Sequence, residues 1–132
     1  MNPESPRSLV LAYIERYTGQ FTWGADGVLK ENDVNFWAWE EFERLTREDP
    51  EGAWVAILSV MEATSDEYTL GMLAAGPLED LIDTHGEALV KRIEQKAAED
   101  SRFRAVLQGV WKSSTPEIWE RIERAQRDPN DA

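Results

Sequence analysis

The hydrophobic positions of this chain recur at three- and four-residue intervals almost throughout, and no stretch alternates with the two-residue period of a half-buried strand. Leu9, Val10, Tyr13, Ile14 and Tyr17 form the first such stripe. It predicts a helix capped by Ser5, with Pro6 at the first helical position and Gly19 at its end. Gly24, Asp26 and Gly27 mark a loop that carries Phe21 and Trp23. A second helix, capped by Asn32 or Asp33 and reaching Arg47, turns Val34, Ala38, Phe42 and Leu45 inward. At about 100° per residue, Trp37 and Trp39 flank that stripe and Phe36 lies nearly opposite its centre. Either this end is buried on several sides or it offers an aromatic edge to a partner; burial is favoured, since large aromatics dominate cores.

Asp49-Pro50-Glu51 starts a third helix with acid at the positive end of its dipole. Trp54, Ile57, Leu58 and Met61 form its main face, widened by Val55 and Val60. Ser65 or Asp66 caps a fourth helix that Gly76-Pro77 breaks. A short fifth helix, Leu78 to Thr84, turns Leu78, Leu81 and Ile82 inward and closes at His85-Gly86. Leu89, Val90, Ile93 and Ala97 define a sixth. Asp100-Ser101 opens a seventh with Phe103, Val106, Leu107, Val110 and Trp111 inward. Ser114-Thr115-Pro116-Glu117 begins the last, with Ile118, Ile122 and Ala125 inward and Trp119 at the edge; Asp128 to Ala132 reads as a fraying tail.

The expected fold is all-α: one domain over residues 1–132, either a compact bundle of about seven or eight short helices or stacked helix pairs. Stacked pairs are suggested by an echo in which Val55, Ala56, Ala63, Asp66 and Leu73 correspond to Leu89, Val90, Ala97, Asp100 and Leu107. The predicted core is Tyr13, Phe42, Trp54, Leu58, Met61, Leu73, Leu81, Ile93, Phe103, Leu107 and Ile122.

Composition changes this picture in two respects. The chain has no Cys, which excludes disulfides and thiolate metal sites and fits a reducing compartment; with no apolar run of membrane-spanning length, a cytoplasmic location is expected. A net charge of −12 argues against direct nucleic-acid binding and favours a basic partner. Between Glu48 and Val90 there are ten Asp or Glu and no Lys or Arg, so this acidic middle is the first place to look for a binding face.

Candidate chemistry is sparse. No phosphate-binding glycine loop, nucleophile elbow or zinc-helix motif occurs, and the Gly24–Gly27 loop lacks the ligand series of a calcium loop. No cofactor is indicated. Gly76 to Gly86 holds the sole His beside carboxylates, and Glu79 and Asp83 share a face at i, i+4; helical projection sets His85 on the apolar side, away from them. A metal-dependent enzyme or metal-binding protein centred on Glu79, Asp83 and His85 is therefore the alternative rather than the leading reading.

LAAGPLEDLIDTHGEALV (73–90) and AAEDSRFRAVLQGVW (97–111), together with FWAWEEFERL (36–45) and PEGAWVAIL (50–58), resemble a family of small bacterial domains of unknown function marked by a GPLEDLI-x-x-HG-like segment. The resemblance spans most of the chain and implies a helical fold and no established activity.

The expected function is a protein-binding module, not an enzyme. Its acidic face would occupy a basic protein surface, in the manner of an immunity protein or antitoxin. The expected contacts are Glu62, Asp66, Glu67, Glu79, Asp80, Asp83 and Glu87, with Trp37 or Trp39 as anchor. Neither nucleic acid nor a membrane is an expected partner; a homo-oligomer using the aromatic edge of the second helix stays open as a further alternative.

Overall fold

A computed structural model describes residues 6–17 and 35–127, and every regular element among them is helical. The elements are α1 (Pro6–Tyr17), α2 (Phe36–Glu48), α3 (Pro50–Ala63), α4 (Glu67–Leu73), a π-helical turn (Ala74–Leu78), α5 (Glu79–Glu99), α6 (Ser101–Leu107) and α7 (Pro116–Ala125). The expected roles of Ser5, Gly19, Phe21, Trp23, Gly24, Asp26, Gly27, Asn32, Asp33, Val34 and the 128–132 tail lie outside the described residues. The chain forms two compact units, residues 1–70 and 71–132, the boundary falling within α4.

In the first unit α1, α2 and α3 pack pairwise. Tyr13 is the hub: its ring lies 4.7 Å from Phe42 and 5.0 Å from Tyr17, centre to centre. A single non-helical residue, Asp49, separates α2 from α3. Its N–H donates to the Leu45 carbonyl (2.8 Å) to close α2, and its carboxylate accepts the Gly52 N–H (3.0 Å) to open α3. Gly52 leaves room for this cap, because a Cβ there would stand 2.4 Å from the Asp49 carboxylate. The buried face of α3 centres on Ala53, Ile57 and Val60, with Ala56, Trp54 and Met61 beside them. Its small residues mark the contact line. Leu58, expected in the core, is consequently only half-buried on the flank, and Val55 points away from it at 57% exposure.

In the second unit α5 packs against α6, α7 and the π turn. Leu81, Ile82, Leu89, Ile93, Phe103, Leu107 and Ile122 are fully buried. The helix break expected at Gly76-Pro77 is absent. The chain widens into a π turn there, which accommodates a residue lacking an N–H without ending the helix. His85 is likewise a kink (φ −129°, ψ 24°) inside α5 rather than a terminus. Unbroken helical runs among the described residues therefore number six, not seven or eight. Trp119, expected at the edge of α7, is buried, and its helix is tied to α5 by the Arg121 guanidinium, which grips Glu94 through two N–H groups.

Asp66 and Asp100, equivalent in the 34-residue echo, both cap seven-residue helices. Asp66 accepts from the Thr69 N–H (2.9 Å) and hydroxyl (2.7 Å), and Asp100 from the N–H groups of Arg102 (2.9 Å) and Phe103 (3.2 Å). The echo extends to burial at Ala56 and Val90 and at Leu73 and Leu107, and fails at the other two pairs, where Val55 and Ala63 are exposed and Leu89 and Ala97 are buried.

Candidate functional site

The seven acids expected to form the binding face fall on both units. Glu79 and Asp83, one turn apart at the start of α5, act on the chain's own backbone. Glu79 accepts the Trp111 N–H (2.8 Å) and Asp83 the Ser114 N–H (3.0 Å), so the pair clasps the segment between α6 and α7. The segment needs holding because Ser114 has a positive φ of 67°. Gly86 admits it: a Cβ there would lie 2.9 Å from Ile118 Cγ2 and 3.0 Å from Ser114 Oγ.

Trp111, expected to point inward, is instead 77% exposed. The helix ends at Leu107, so its periodicity no longer sets where Trp111 points. His85 Nε2 and Ser113 Oγ, each next in sequence or nearly so to a residue of the clasp, are buried and have no hydrogen-bond partner among the described residues. Among the described residues no three or more His, Asp or Glu gather as a metal would require, so Glu79, Asp83 and His85 do not form such a group. Asp80 is half-buried, and Glu87 is exposed at the outer surface of α5.

The other candidates belong to the first unit, where the charge is concentrated. Residues 1–70 carry fourteen Asp or Glu against five Lys or Arg, and residues 71–132 carry twelve against nine. Glu62 and Glu67 are exposed. Asp66 is exposed too but engaged as the α4 cap, where the Thr69 hydroxyl and then the Thr69 N–H hold its carboxyl below the usual range.

Close to Glu67 in sequence begins a continuous run of rings. Tyr68 lies 6.1 Å from Tyr17, the Arg16 guanidinium sits 5.0 Å from the Tyr17 ring centre and 5.5 Å from that of Phe36, and Phe36 stacks on Trp39 at 5.4 Å with planes 18° apart. This belt joins the end of α1, the start of α2 and the start of α4. Arg16 and Tyr17 are buried within it, while Tyr68, Phe36 and Trp39 stand out at 53%, 41% and 40% exposure. Trp37 is half-buried, which leaves Trp39 as the freer of the two expected anchors. Glu40 and Glu43 follow on the outer side of α2; Glu40 is exposed, and Glu43 makes a long 3.9 Å pair with Arg47.

The Phe36–Trp39 stack follows from i, i+3 spacing and was open to sequence reasoning, but the parts of Arg16 and Tyr68 were not, because they reach it from other helices.

Among the described residues no helix is long and apolar enough to cross a membrane. Residues 26–129 match the model of a family of unknown function, DUF6869. No curated protein and no solved structure matches the chain.

Proposed function

The chain belongs to this family of unknown function, and we propose that it is a protein-binding module whose first unit docks a basic protein partner, neutralising or regulating it as an immunity protein or antitoxin would. The carrying observation is the Phe36–Trp39 stack, exposed on a unit with a large excess of acid and beside the carboxylates of Glu40 and Glu43. Two aromatics stacked on each other at the surface are suited to anchor a partner, since interface energy concentrates in such residues. The surrounding acid speeds the encounter with a basic surface and disfavours acidic ones.

Glu62, in the last turn of α3, and Glu67, next to Tyr68 at the start of α4, are exposed on the same unit and are kept in the proposal as contacts. Glu79 and Asp83 leave the proposal as contacts and keep a role in holding the 110–115 segment. A cytoplasmic setting accords with the absence of Cys.

The test is capture from a lysate of the source cells on the immobilised chain, with Trp39→Ala beside it. A basic protein retained by the native chain, released by salt and lost with Trp39→Ala supports the reading. Equal retention by both chains, or retention of acidic proteins only, contradicts it.

A further inference from the structure

Resting on that reading, we infer that α2 is built to receive an arginine side chain of the partner on the face of Trp39. At about 100° per residue, Phe36, Trp39, Glu40 and Glu43 fall within one arc about 100° wide, opposite the buried Ala38 and Leu45. The arc holds two aromatic–carboxylate pairs at i, i+4, Phe36 with Glu40 and Trp39 with Glu43, set side by side.

A guanidinium fits both halves of such a pair: its plane stacks on an aromatic face while its forked N–H groups reach a carboxylate. An ammonium offers a point charge with neither the plane nor the fork. The belt already shows the same chemistry internally, since the Arg16 guanidinium lies over both Phe36 and Tyr17. Phe36 stacks against Trp39 on one side, and Trp39 as a residue remains 40% exposed. The nearer carboxylates are available. Glu40 is exposed, and the 3.9 Å separation of Glu43 from Arg47, both at the surface, is a weak pair that a bidentate contact would replace.

Two peptides of equal charge, one alternating glycine with arginine and the other glycine with lysine, are titrated into the full-length chain by calorimetry. The arginine peptide is expected to bind ~5- to 10-fold more tightly. Trp39→Ala and Glu43→Gln are each expected to remove most of that preference while leaving the helical circular dichroism unchanged. Equal affinity for the two peptides, or a preference that survives both substitutions, overturns the arginine inference and leaves the acidic binding face standing. Failure of both peptides to bind the native chain overturns the arginine inference and the acidic binding face together.

Discussion

The backbone N–H of Trp111 donates to the carboxylate of Glu79 across thirty-two residues of chain, at 2.8 Å. Together with the Asp83–Ser114 bond, it gives these two acids a structural task. Replacing Glu79 or Asp83 by Ala is expected to cost about 1.5 kcal/mol, the lower end for a hydrogen bond to a charged group because both sites meet solvent. The double variant is expected to cost less than the two single costs together, since losing either bond loosens the same segment. Denaturant unfolding measures the costs, and amide exchange at Trp111 and Ser114 should quicken in each variant.

Glycine substitutions separate close approach from backbone freedom. Gly86→Ala sets a Cβ 2.9 Å from Ile118 Cγ2 and is expected to destabilise by about 1–3 kcal/mol. Gly71→Ala, in α4 with nothing within 4 Å of the added atom, is expected to stabilise by about 0.5–1 kcal/mol. Thermal unfolding of the two variants should shift in opposite directions.

Alkaline stability reports on the hub of the first unit. Burial, and secondarily the neighbouring Tyr17, raise the Tyr13 phenol far above its ordinary value, against a smaller opposing pull from Arg16. Unfolded Tyr13 ionises near pH ~10 while the folded residue keeps its proton. The associated stability is therefore complete below pH ~10 and is lost as pH rises further. Tyr13→Phe should flatten that decline in an unfolding series across this range.

Acid acts on other groups. Glu94, bound by Arg121, and Asp66, bound by Thr69, are held below their usual values; each contributes stability that is present above the unfolded carboxylate pKa and lost as pH falls through the folded one. Asp66→Asn is expected to lower the unfolding midpoint at neutral pH and to shrink the drop between neutral and acidic pH. An unchanged pH profile would show that the cap carries none of this dependence.

The all-α class and most of the core were legible because periodicity reports burial wherever one helix face carries the large residues. Tyr13, Phe42, Trp54 and Ile122 are buried as their spacing predicts. Leu58 and Val55 misled because the contact line of α3 runs along Ala53 and Ala56, residues that carry little hydrophobic weight but permit close packing. Trp111 misled because a helical phase was extended past the end of a helix. Glu79 and Asp83 looked like free acid because their partners are backbone N–H groups about thirty residues away, which no local pattern announces. Burial of the aromatic end of α2 is the expectation from its composition, and the exposure of Phe36 and Trp39 corrects it; the belt that joins them to Tyr68 depends on helix packing, which local spacing does not report.

An aromatic anchor and surrounding acid that bind a basic protein make the affinity of the first unit depend on salt. Dissociation constants for the captured partner are to be measured from about 50 to 500 mM salt, over which screening shortens from roughly 14 Å to 4 Å. Affinity of the native chain is expected to fall steeply with salt, and Trp39→Ala to bind at least ~10-fold more weakly at every salt concentration. Affinity that is flat across the series, or unchanged by Trp39→Ala, would contradict this binding role.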